Sequence, residues 1–190
     1  MNLREIIETV MPVSDEALEQ MEALCVPKRV KKGRLIIEQG KVSKDIFFIC
    51  KGVVRNYCLI DGEELTRWFA LDGDVVASMF SFSRGLPSVG SVVALTNLDV
   101  LVAPIGEVKK LIDSSLEWSR WTNAYVLDGL FMLERRHTFL SHGSAMNRYL
   151  TFQKMRTFEL LRHLPLQHIA SYLNMRPQTL SKVRRALATE

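Results

Sequence analysis

The chain has 190 residues, 47% of them hydrophobic and 24% charged, which supports a packed core, excludes a disordered chain and suits one large or two small domains. Its three cysteines, Cys25, Cys50 and Cys58, have no C-x-x-C spacing, which excludes a disulfide framework and a cysteine-based zinc or iron–sulfur site. The net charge of +4 is unevenly held: residues 145–190 carry a balance of +6 and residues 1–144 one of −2, so a nucleic-acid partner is expected for the C-terminal quarter.

At the N-terminus, Arg4, Glu5 and Glu8 interrupt the apolar residues, so no secretion signal is read. The longest uncharged run, Gly85–Leu98, holds Pro87 and Asn97 and is too short to span a bilayer. A reduced, cytoplasmic protein with no membrane partner is expected. "SDEALEQMEAL" (14–24) starts with a capping serine and two acids, then places Leu18, Met21 and Leu24 at helical spacing. Glycines at 33, 40, 52, 62 and 73 next divide residues 26–80 into short pieces rich in β-branched and aromatic residues, among them "DIFFIC", "VVRNYCLI" and "ELTRWFAL". Asp61–Gly62 predicts a tight hairpin. Strands resume over "VGSVVALTNLDVLVAPI", with a turn near Asn97, and six or more short strands at this spacing predict an antiparallel barrel or sandwich.

From Ile105 the pattern is helical. "GEVKKLI" reads as a short helix and Ser115–Leu140 as one long helix. Val126, Leu130, Leu133, His137 and Leu140 are spaced 4, 3, 4, 3, a heptad-like stripe expected to be the seam of a homodimer; packing on its own domain is the alternative. Gly143 and the capping Ser144 mark a hinge, a further amphipathic helix follows, and Pro165 opens the next element.

The final segment, "LPLQHIASYLNMRPQTLSKVRRAL" (164–187), reads as a helix-turn-helix. Counted from Leu166, the positions that two crossed helices must bury are Ile169, Leu173, Met175, Leu180 and Val183, with small Ala170 at the close approach. Asn174 falls at the turn, where a left-handed backbone is needed, and Pro177 in the first turn of the second helix, where its missing N–H costs nothing. The helices are expected over about 166–173 and 177–188. In such a motif the second helix enters the major groove of double-stranded DNA. Arg176, Gln178, Ser181 and Lys182 are the candidates for base edges, and Thr179, Arg184 and Arg185 for phosphates.

The whole order resembles the Crp/Fnr superfamily of transcription regulators. "VKKGRLIIEQGKVSKDIFFICKGVVRNY" looks like its cyclic-nucleotide-binding-type β-roll and "QHIASYLNMRPQTLSKVRRAL" like its DNA-reading end. The resemblance implies an α+β chain: an antiparallel, jelly-roll-like β-roll with flanking helices as sensor over 1–114, a long dimerisation helix over 115–142 and a helix-turn-helix domain over 143–190. It also implies a homodimer on a near-palindromic operator, with RNA polymerase as a further candidate partner. In cyclic-AMP binders of the family a glutamate holds the ribose and an arginine the cyclic phosphate; here Ser78 and Ser88 fall at those positions, and Arg84 is out of register. An anionic phosphate in a partly buried pocket needs a compensating cation or a nest of N–H groups, so cyclic AMP is disfavoured. Any other effector is expected near Ser78, Met79, Ser88, Val89 and Leu133. The cysteine cluster of the fumarate–nitrate branch is missing, and no metal or cofactor is expected. No histidine precedes His137, which argues against a metal enzyme built in the roll, and no P-loop, G-x-G-x-x-G or G-x-S-x-G segment occurs. The alternative reading is a small-molecule sensing module acting through protein contacts.

Overall fold

The computed structural model describes residues 1–141, 143–155, 161–162 and 164–188, and the side chains of all these but 139–141. They divide into two compact units, Met1–Leu59 with Arg67–Asp128, and Ile60–Thr66 with Gly129–Glu190.

The first unit opens with α1 (Leu3–Glu8) and α2 (Asp15–Glu22). Strands β1 (Val26–Val30), β2 (Leu35–Ile37), β3 (Asp45–Lys51), β4 (Val54–Ile60), β5 (Glu63–Ala70) and β6 (Val75–Val76) follow, then α3 (Met79–Arg84), β7 (Ser91–Ala94), β8 (Leu98–Pro104), α4 (Ile105–Ser114) and the long α5 (Leu116–Ser141); of these, Ile60–Thr66 and α5 from Gly129 on belong to the second unit. The strands form two four-stranded sheets, in the orders β1-β8-β3-β6 and β2-β7-β4-β5. Phe47 and Ile49 of β3 face an inner core with Ile37, Val54, Val92 and Val100, while its alternate residues Ile46 and Phe48 face an outer core with Ile6, Ile7, Leu18, Trp118 and Trp121. Burial on both faces is why "IFFI" is a continuous apolar run rather than an alternating one.

Two sequence signals set the turns. Asp61 and Gly62 both have positive φ, 52° and 83°, as the two-residue hairpin between β4 and β5 requires. Gly52, at φ 114°, is pressed so close that a Cβ would stand 2.6 Å from Leu98 Cδ2 and 2.7 Å from the Asn97 carbonyl. The α1 helix, absent from the sequence reading, is held by a capping box: Asn2 accepts from the Glu5 N–H, and Glu5 accepts from the Asn2 N–H. Trp118 donates to the Ala17 carbonyl at 3.1 Å and Trp121 to that of Ile7 at 2.9 Å, fixing both N-terminal helices to the start of α5. The second addition is α3, capped by Ser78 and ended by Gly85 in the left-handed region.

Beyond its first turns α5 carries Val126, Leu127, Leu130, Phe131, Met132 and Leu133 at 41–67% exposure. His137 is exposed too, whereas the Leu140 side chain lies outside the described residues. The second unit continues with α6 (Ala145–Gln153), capped by Ser144, then α7 (Leu166–Tyr172) and α8 (Pro177–Ala188).

Candidate nucleic-acid interface

The turn between α7 and α8 is a Schellman closure. The Met175 N–H donates to the Ala170 carbonyl at 3.0 Å, the Asn174 N–H donates to that of Ser171 at 3.1 Å, and Asn174 has φ 51°. Pro177 is the first residue of α8, and the Leu180 N–H closes the first turn on the Arg176 carbonyl. Ile169, Ala170, Leu173, Leu180 and Val183 are all buried, and Met175 is half-buried. α6 adds Tyr149 and Phe152 to this unit's core, with Phe152 6.1 Å from the ring of Tyr172.

Burying Leu180 and Val183 turns the opposite face of α8 outward. Gln178, Ser181, Lys182 and Arg185 are exposed, and their i, i+3, i+4, i+7 spacing puts them on one stripe. Arg176, just ahead of Pro177, is exposed as well. Thr179 and Arg184 are half-buried and lie off the stripe. The Arg184 guanidinium lies 5.5 Å over the Tyr149 ring, and its buried Nε and Nη2 have no hydrogen-bond partner among the described residues.

Four further residues support this hairpin of helices. Ser171 Oγ accepts the Thr66 N–H and donates to the Glu64 carbonyl. Arg136 donates to the carbonyls of Thr66 and Tyr172 and lies over the Tyr172 ring. Arg148 donates to the carbonyls of Gly143 and Asn174, and Tyr149 carries Arg184. Sequence reading passed over all four, because their partners are set by the tertiary fold.

Residues 27–115 match the cyclic nucleotide-binding domain family. No curated protein is similar enough in sequence to count as a relative. Among solved structures, FixK2 from Bradyrhizobium japonicum is similar with a TM-score of 0.75 and 21% identity, over 87% of this chain and 85% of that one. The c-di-GMP-responsive global regulator CLP of Xanthomonas campestris gives 0.72 and 16%, over 93% and 92%. A protein from Eubacterium rectale described as a transcriptional regulator of the Crp/Fnr family gives 0.72 and 16%, over 93% and 84%. The chain has the fold of the Crp/Fnr-type regulators.

Within that fold, the segment between β6 and β7 holds both serines that stand at the glutamate and arginine positions of the cyclic-AMP binders. Ser78 Oγ accepts from the Ser81 N–H and the Ser81 hydroxyl, and Ser88 Oγ donates to the Gly90 carbonyl at 2.7 Å. Both hydroxyls are buried and committed to their own loop. Arg84, the only cation between Gly73 and Val92, stands exposed in the last turn of α3. Met79 and Val89 are exposed, and Leu133 belongs to the other unit. Among the described residues no group of His, Cys, Asp or Glu is placed to hold a metal, and no helix is long and apolar enough to cross a membrane.

Proposed function

We propose that this Crp/Fnr-type chain is a DNA-binding transcription regulator that acts as a homodimer on a near-palindromic operator and does not respond to cyclic AMP. The observation that carries the reading is the exposed stripe of Gln178, Ser181, Lys182 and Arg185 on α8, backed by a buried face and preceded by the left-handed Asn174 turn. Side chains on such a stripe reach base edges and phosphates together when the helix lies in the major groove. In this reading residues 1–114 sense, 115–142 join two copies and 143–190 read DNA. The apolar exposure from Val126 to Leu133 supports the dimer, since an apolar face of this extent is costly to leave in water.

The experiment is selection of bound duplexes from a random-sequence pool by the purified chain. The selected sequences carry two inverted half-sites about 34 Å apart, one DNA turn. Recovery of an unselected pool, or of single half-sites only, contradicts the dimeric regulator.

A further inference from the structure

Three segments of the second unit meet at one guanidinium. Arg136, in the part of α5 that follows Gly129, donates through Nη2 to the Thr66 carbonyl of the β4–β5 hairpin at 2.9 Å. The same nitrogen donates to the Tyr172 carbonyl at the end of α7 at 3.5 Å, and the guanidinium carbon stands 5.1 Å over the Tyr172 ring. Thr66 is fully buried and its N–H goes to Ser171 of α7, so side chains of α5 and α7 hold both of its main-chain groups.

The Tyr172 carbonyl is a sensitive place to hold. The closure of α7 uses the carbonyls of Ile169, Ala170 and Ser171, and Tyr172 carries the next one. A cation is favoured at this negative end of a helix. Beyond the buried Leu173, Asn174 makes the turn that aims α8, and its carbonyl takes a bond from Arg148 of α6 at 3.5 Å. A displacement of Tyr172 therefore passes through one packed residue into the direction of α8.

On α5, Arg136 stands about a quarter turn round the helix from the mean direction of Leu130, Leu133 and His137. The exposed stripe and the guanidinium thus belong to one helix but to different faces of it. A guanidinium about 6 Å from the axis travels about 2 Å when the helix rolls by about 20°, which is more than a hydrogen bond tolerates.

We infer that Arg136 is a positioning residue for DNA reading: it fixes the angle at which α5 carries α8, and with it the separation of the two reading helices in the dimer. This role rests on the regulator reading and names the side chain that ties the seam to the reading helix. Arg136 acts through Tyr172 and Thr66 and makes no DNA contact of its own.

The test uses the full chain and the duplex obtained by selection. Binding is measured to the intact operator, to a single half-site, and to operators with one base pair inserted or removed between the half-sites. The wild type should prefer one spacing by about tenfold or more, because half-site separation must match that of the two helices. Arg136→Met should keep its dimer, its half-site affinity and its salt slope. It should bind the intact operator about tenfold more weakly and lose most of the spacing preference, because the second half-site is no longer met by a helix already in place. A side chain that only stabilised the fold would leave the spacing preference of the folded protein intact. Arg136→Lys keeps the charge without the planar fork and serves if the Met variant does not fold; it too should relax the spacing preference. A variant as strict in spacing as the wild type overturns the inference. So does a half-site affinity or salt slope that falls with the affinity for the intact operator, because Arg136 would then support α8 alone or meet phosphate directly. Wild-type protein that selects no paired half-sites sinks the regulator reading, and this role with it, before any variant is made.

Discussion

The Ser171 hydroxyl stands between two main-chain groups of the β4–β5 hairpin, accepting the Thr66 N–H at 2.9 Å and donating to the Glu64 carbonyl at 3.0 Å. One side chain of α7 thereby satisfies a fully buried residue of the hairpin tip. Ser171→Ala leaves the Thr66 N–H without this partner and should cost about 1–2 kcal/mol. Denaturant unfolding followed by a probe in the second unit checks this. An unchanged midpoint would mean that the hydroxyl contributes nothing net.

Asn174 holds the left-handed turn that sets the angle between α7 and α8. Asn174→Gly should be neutral or slightly stabilising, while Asn174→Val should lose about 1–2 kcal/mol and weaken DNA binding with it. Circular dichroism melts and duplex titration of both variants compare the effects. A β-branched residue tolerated without loss would rule out the turn as the element that sets the hairpin.

The α5 stripe predicts a dimer sensitive to charge. Leu130, 59% exposed in the isolated chain, becomes Asp in a variant that should sediment as a monomer and lose operator affinity. A Leu130→Asp protein that remains dimeric would move the interface elsewhere.

Burial pushes the Cys25 thiol up to about 12 from an ordinary 9.0, with Glu22 and Cys50 adding to the effect. The folded state therefore keeps its proton where the unfolded chain ionises. Stability should be unaffected by this group below pH 9 and fall as pH rises from about 9 to 12. Cys25→Ala should flatten that fall in thermal melts, and the thiol should react slowly with alkylating reagents at pH 8. Fast alkylation of the native chain would contradict its burial.

Much of this molecule is visible in its sequence, and the losses have physical causes. The helix-turn-helix shows because its demands are local: apolar residues at fixed offsets, a residue that tolerates positive φ at Asn174 and a proline that fits only a first turn. The Asp61–Gly62 hairpin shows for the same reason. The α1 helix escapes notice because six residues give less than two turns of periodicity, and α3 because "MFSFSR" has the alternation of a strand. Arg184 reads from sequence as a phosphate contact like Arg185, yet the ring that holds it, Tyr149, lies 35 residues earlier. The Ser171 tie spans 105 residues to Thr66 and leaves no periodic trace.

That contrast between neighbouring arginines gives the most direct measurement of the central claim: the salt dependence of binding to a selected duplex by the wild type, Lys182→Ala, Arg185→Ala and Arg184→Met. Each phosphate contact contributes about 0.9 to the slope of log affinity against log salt. Lys182→Ala and Arg185→Ala should both weaken binding, and Arg185→Ala, at a phosphate candidate, should lower that slope by about one contact. Arg184→Met should keep the slope while lowering stability. Affinity and slope indifferent to both Lys182 and Arg185 would contradict the assignment of the α8 stripe to DNA.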